Sequence, residues 1–192
     1  MVEYSHIKPD QALIVIGVTG GVGMAAAQIA KSRGARVIGI ARRQLPANFH
    51  RCTTIDKFLL LEDGPLDEMI RTPIHDLLAD VVFDTVGGAM FERALRLLGH
   101  QGTLIEIAST GSRRVSFDLI DFYHNESRLL GVDTRTRDAL ASAKLLEAIS
   151  PLFDARILRA GSSEEVISLT DGPAAYGKVT RGEVCGRVTL AP

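Results

Sequence analysis

Gly17, Gly20 and Gly23 stand at G-x-x-G-x-x-G spacing between an apolar run, Leu13 to Val18, and an alanine-rich segment that begins near Val22. Glycine has no Cβ, so it permits a sharp turn and lets another group come close to the main chain. Where such a turn opens a helix, the first N–H groups have no partner within the helix, and the dipole presents its positive end to an anion. Thr19, Gly20, Gly21, Val22 and Gly23 are therefore the candidate seat for a diphosphate. A tight strand-to-helix turn that binds nothing would use the same residue types. The flanking strand, the helix and the strand after it make the dinucleotide fingerprint the stronger interpretation.

A second set of residues decides which dinucleotide. In an NAD site an acidic side chain about 20 positions beyond the glycines holds the adenosine ribose hydroxyls. The second apolar run, Arg36 to Ile40, is instead followed by Ala41, Arg42 and Arg43. Without a carboxylate nothing repels a 2′-phosphate, and a guanidinium can grip phosphate oxygens in bidentate fashion. NADP(H) is thus expected over NAD(H); the plainer alternative is two solvated surface arginines.

These residues need a frame, and the chain supplies alternating short apolar runs and helical patterns, the signature of βαβ units. The expected strands are Leu13–Val18, Arg36–Ile40, Val81–Asp84, Thr103–Ile107 and Leu129–Val132. Val22, Ala25, Ala26, Ile29 and Ala30 recur at helical spacing with Gly34 as the stop, and Phe91, Ala94, Leu95 and Leu98 repeat the pattern before Gly99. Pro46, Gly64-Pro65 and Pro73 break up the stretch from Gln44 to Leu78, where irregular structure with one weak strand near Thr54 is expected. Ala139, Ala143, Leu146 and Ile149 form a further helical stripe that Pro151 should end or kink. Val184, Gly186, Val188 and Leu190 alternate as in a terminal strand with one buried face. The expected fold is α/β: a Rossmann doubly wound parallel sheet with helices on both faces, a three-layer sandwich formed by residues 1–192 as one domain.

Composition narrows the partners. The 192 residues are 46% hydrophobic, and 22 basic residues face 23 acidic ones for a net charge of -1, so no broad attraction to nucleic acid or anionic lipid is expected. Cys52 and Cys185 form neither a C-x-x-C pair nor a metal-ligand cluster, which argues against structural zinc and disulfides and fits a reducing cytoplasm. No apolar run reaches the roughly 18 residues of a membrane helix, and the N-terminal residues lack the pattern of a signal peptide. His6, His50, His75, His100 and His124 are scattered, and each reads as a surface residue. No catalytic residue and no metal ligand is identified.

The segments "VTGGVGMAAAQIAKSRGARVIGIA", "DVVFDTVGGAMFERALRLLGHQGTLIEIAS" and "GEVCGRVTLAP" together resemble the cofactor-binding half of the medium-chain dehydrogenase/reductase superfamily, in its zinc-free quinone oxidoreductase and enoyl reductase branch. A looser likeness runs through "FDLIDFYHNESRLLGV". The resemblance implies that Gly20, Gly21, Val22 and Gly23 cradle the diphosphate and that Arg42 and Arg43 meet the 2′-phosphate. It also implies that Thr85 and Val86, with Ala108 and Ser109 after the next strand, face the adenosine and nicotinamide-ribose side of the cleft. Thr110 beside Ser109 reads equally as an ordinary polar turn, and Asp84 as a residue that orders its own turn.

Such a protein would transfer a hydride to or from a carbonyl or activated C=C of quinone or enone type. In the family a catalytic domain precedes the nucleotide domain; this chain is expected to lack it, as either an excised domain or a naturally shortened chain, and residues 169–192 are the part that would return to it. The substrate would then be met through that missing domain. The family pattern further implies a homodimer formed through the edge strand Leu129–Val132. The rival from another class is a non-catalytic NADP(H)-binding module that senses or reports redox state. A short-chain dehydrogenase is disfavoured because neither Tyr123 nor Tyr176 has a lysine four residues on, and a hydrolase elbow because G-x-S-x-G does not occur.

Overall fold

The computed structural model describes residues 5–42, 54–61, 78–160, 163–181, 183–184 and 187–192. Six strands form one wholly parallel sheet: β1 (Ala12–Ile16), β2 (Arg36–Ala41), β3 (Lys57–Leu60), β4 (Ala79–Asp84), β5 (Leu98–Glu106) and β6 (Arg128–Gly131). Their spatial order is β3-β2-β1-β4-β5-β6, the order of a Rossmann sheet. The chain leaves β1 toward β2 on one side and later returns to pair β4 on the other. That reversal opens a crevice at the carboxyl ends of β1 and β4, where open α/β sheets bind their ligands.

Side chains of β1 alternate between two cores. Leu13 and Val15 pack with Val37, Val81 and Phe83 beneath the helix α1 (Gly21–Ser32), whereas Ile14 and Ile16 join Ile38, Ile40 and Val82 beneath α2 (Phe91–Arg96). Both faces of the sheet are covered, which is why its central strands read as unbroken apolar runs. The expected doubly wound sheet with helices on both faces is what these residues form.

Several details differ from expectation for identifiable reasons. β1 stops at Ile16 because Gly17 turns the chain at φ +80. In α1 the buried residues are Gly23, Ala26, Ala27, Gln28 and Ala30, while Val22 and Ala25 are exposed; glycine and alanines, not the larger Val22, meet the sheet, so the helix lies close to it. Leu98 belongs to β5 and not to the preceding helix, which ends at Arg96. Thr54 sits in a turn, and the strand expected near it lies a few residues later, as β3.

Toward the C-terminus the packing thins. α3 (Leu119–His124) and α4 (Ala139–Asp154) contain no fully buried residue, and Leu146, expected on an apolar stripe, is 63% exposed. Pro151 neither ends nor breaks α4, which runs on to Asp154. Its missing N–H falls near the helix end on an exposed residue, where water can satisfy the carbonyl left over. β7 (Ser163–Ser168), which the sequence pattern did not suggest, pairs in parallel with β8 (Arg187–Ala191) in a separate two-stranded sheet around α5 (Gly172–Arg181). Val184 and Val188 are half-buried, whereas Leu190 is exposed. The expected buried face is thus absent among the described residues, since two strands alone cannot enclose one. None of the described helices is long and apolar enough to cross a membrane.

Candidate functional site

The cleft at the switch point is built around Gly17. Its N–H donates to the Ile40 carbonyl at 2.8 Å, pinning the end of β1 to β2, and a Cβ at this position would run into Thr85 Oγ1. The chain then doubles back, Gly20 N–H donating to Gly17 O at 3.0 Å. Gly20 is the N-cap of α1, in extended conformation and with no side-chain cap, and the first turn carries no acidic residue. The first backbone bond of the helix is Met24 N–H to Gly20 O at 2.9 Å, so the amides of Gly21, Val22 and Gly23 precede it and are oriented for an acceptor from outside. At Gly23 a Cβ would enter the Gly17 carbonyl and lie 2.9 Å from Val18 Cα, so glycine is required for α1 to approach the strand.

A cleft of about 300 Å³ opens over this turn, lined among others by Thr19, Gly20, Ala41, Arg42, Val86 and Met90. It therefore gathers the glycine turn, the end of β2 and the loop after β4. Gly21 and Val22 are exposed at the adjoining helix start, and Gly23 is buried beneath it. Ala41 is buried, and Arg42 is exposed directly after it, with no carboxylate lining the cleft at this end of β2 among the described residues. Arg43 lies outside the described residues.

Thr85 does not offer its hydroxyl to the cleft; that group donates to Ile16 O at 2.8 Å and ties β4 to β1. Ala108 and Ser109 are exposed on the loop after β5, where Ser109 Oγ donates to Ser112 O at 2.8 Å. Thr110 N–H donates to Val86 O at 2.7 Å, so this loop is laced to the β4 loop. Asp84 orders its turn as expected, its Oδ1 accepting from Val86 N–H at 2.7 Å and Gly87 N–H at 3.0 Å. Beside it, burial together with the Asp84 charge pushes the Glu106 carboxyl up to about 8.

Met90 and Glu106 are the residues that sequence reasoning missed. Met90 follows a glycine pair, Gly87-Gly88, whose tight turn was a usable signal. Glu106 is an acid inside the apolar run "TLIEIA", which was another. His6, His100 and His124 are exposed, in keeping with the surface role expected of them. Cys52, Cys185, His50 and His75 lie outside the described residues. Among the described residues no group of three His, Cys, Asp or Glu side chains is placed to hold a metal. The arrangement can seat a diphosphate on main-chain amides and a further anion at Arg42, and the tight turn that Gly17 and Gly23 alone permit fits a dinucleotide.

Residues 21–150 match the family model described as zinc-binding dehydrogenase. The quinone oxidoreductase of Pongo abelii is 25% identical over 142 residues, covering 69% of this chain and 40% of that protein. Acryloyl-coenzyme A reductase of Metallosphaera sedula is 27% identical over 108 residues, 55% of this chain and 30% of that protein. Among solved structures, a mycobacterial protein complexed with NADPH superposes with a TM-score of 0.81 at 19% identity, covering 100% of this chain and 60% of the other. The chain spans less than half the length of these curated relatives.

Proposed function

Because the chain belongs to the zinc-binding dehydrogenase family, as a cofactor-binding part of the medium-chain dehydrogenase/reductase superfamily with quinone oxidoreductase relatives, we propose that it binds NADP(H) for hydride transfer to or from a carbonyl or activated C=C of quinone or enone type. The observation that carries this reading is the cleft itself: unpaired amides of Gly21 to Gly23 at one side and, among the described residues, Arg42 with no carboxylate lining the cleft beside it at the other.

In this reading Thr19 to Gly23 hold the diphosphate, and Ala41, Arg42 and Arg43 surround the 2′-phosphate. Ala41 leaves room where an acid would repel it, and Arg42 supplies a fork of donors. Val86, with Thr85, Ala108 and Ser109 behind it, forms the wall toward the nicotinamide ribose. NADP(H), when bound, carries the redox chemistry, while the protein orients it and excludes water. The quinone oxidoreductase and acryloyl-coenzyme A reductase relatives support the zinc-independent branch in this reading, although a zinc-type alcohol dehydrogenase-like protein is also among the relatives.

Residues 1–192 act as one nucleotide-binding domain in this proposal. Its last segment, 169–192, turns toward a catalytic domain that supplies the substrate pocket, and the protein works in the cytoplasm. The chain pairs with a second copy through β6, the last strand of the sheet, where Leu129 is 46% exposed and the outer edge is open to another strand. Calorimetric titration of the purified chain tests the cofactor assignment: NADPH is expected to bind more tightly than NADH, and equal affinities would remove the role given to Arg42.

A further inference from the structure

Asp84 and Glu106 end neighbouring strands and are register partners in the parallel ladder of β4 and β5. Alternation along each strand puts both on the α2 side of the sheet, with Val82 and Leu104 before them. Asp84 is 0% exposed. Its Oδ1 is satisfied by the amides of Val86 and Gly87, but Asp84 Oδ2 and Glu106 Oε1 are both buried and neither accepts from an N–H or hydroxyl donor. As register partners with side chains on the same face of the sheet, the two carboxyl groups are neighbours across the β4–β5 ladder.

Neighbouring carboxyl groups, one fully buried and one half-buried, disfavour each other's charge, and one proton shared between the buried oxygens would satisfy both at once. Burial and the neighbouring Asp84 hold the Glu106 carboxyl above the usual carboxylate range, which leaves the proton on Glu106. The loops that follow are locked together beyond the pair: Thr110 N–H reaches Val86 O, and the backbone at Gly87 lies so close to the Ala108 carbonyl that no Cβ would fit.

We propose that Glu106 is a positioning residue that donates a retained proton to Asp84 and thereby holds the Val86 turn and the Ala108–Thr110 segment in one arrangement at the wall of the nucleotide cleft. The proposal rests on reading that cleft as an NADP(H) site. The charged group acting on Glu106 among the described residues is Asp84. On the other flank its register partner is Gly131, and Asp133 just beyond is bound by Arg135 at 2.7 Å. α2 turns Phe91 and Ala94 toward this face, and its Arg96 is paired with Glu92 at 2.8 Å.

Two measurements on the intact chain test it. Carbon-detected NMR of the Glu106 carboxyl is expected to give a titration midpoint near 8, and a midpoint in the ordinary glutamate range overturns the shared proton. NADPH affinity, followed from about pH 7 to about pH 9, is expected to weaken by up to about tenfold per unit above that midpoint. Glu106→Gln, whose amide can donate to Asp84 without titrating, is expected to abolish the pH dependence. Glu106→Ala is expected to weaken NADPH at every pH. A titration near 8 with pH-independent affinity overturns the positioning role. Absence of NADPH binding at every pH overturns the cofactor reading instead, and the carboxyl titration tells the two failures apart. Should the variants fail to fold, the two measurements on the unaltered chain decide the matter.

Discussion

A side chain at Gly23 would collide with the carbonyl oxygen of Gly17, so the first turn of α1 and the end of β1 meet main chain to main chain. The contact sets how far the helix amides protrude into the cleft. Gly23→Val is expected to cost about 1–3 kcal/mol in urea unfolding, the usual range for overpacking a close contact, and to lower NADPH affinity with it.

Arg42 stands alone, among the described residues, at the place where the end of β2 meets the cleft. Charge-assisted hydrogen bonds are worth roughly 1.5–3 kcal/mol, or about 10–100-fold in binding. Arg42→Asp should therefore weaken NADPH by about that factor and NADH far less, read by parallel calorimetric titrations.

Gln28 on α1 reaches across the fold to the chain after α4, accepting from Arg159 N–H at 2.7 Å and donating to Arg159 O at 3.2 Å. This buried side chain is the bracket between the nucleotide helix and the C-terminal segment. Gln28→Leu strands both groups at about 1–3 kcal/mol each if they stay buried. Hydrogen exchange at the Arg159 amide is expected to accelerate while the amides of β1 keep their protection.

Asp56 joins the α1 and β2 layers before β3, accepting from Val37 N–H at 2.7 Å and pairing with Lys31. Burial opposes its ionisation, but the Lys31 hydrogen bond, the Val37 amide and the charges of Lys31 and Arg36 outweigh it and hold the carboxyl below its ordinary value. A depressed carboxyl stabilises the fold above the unfolded-state value, and that contribution is lost as pH falls through the folded-state value. The melting temperature of Asp56→Asn should accordingly fall less steeply on acidification than that of the unaltered chain, with the difference confined to the acid limb.

Leu129 on the open edge of the sheet tests the pairing proposed for β6. Leu129→Arg adds charge and bulk to that edge, a device that discourages strand pairing. Light scattering at micromolar concentration is expected to give a dimer mass for the unaltered chain and a monomer mass for the variant.

The central sheet and the glycine turn were legible because their causes are local. β1, β2, β4 and β6 announce themselves as apolar runs, and the spacing of Gly17, Gly20 and Gly23 follows from a strand-to-helix turn. What escaped depends on contacts between distant residues. Glu106 gains its meaning only from its register partner Asp84, and Thr85 loses its apparent availability only because Ile16 O lies beside it. β7 was missed because its strand character depends on pairing with β8. The apolar stripe of α4 promised a buried face, yet Ala139, Ala143 and Leu146 remain exposed, because helical periodicity marks a face without saying what covers it.

The most direct test of the account is an amide NMR titration of the isotope-labelled chain with NADPH. The account predicts that the N–H signals of Gly20, Gly21, Val22 and Gly23 move furthest, with Arg42 and Val86 moving at the same midpoint. Saturation with those four amides unmoved, or the largest changes elsewhere on the sheet, would contradict it.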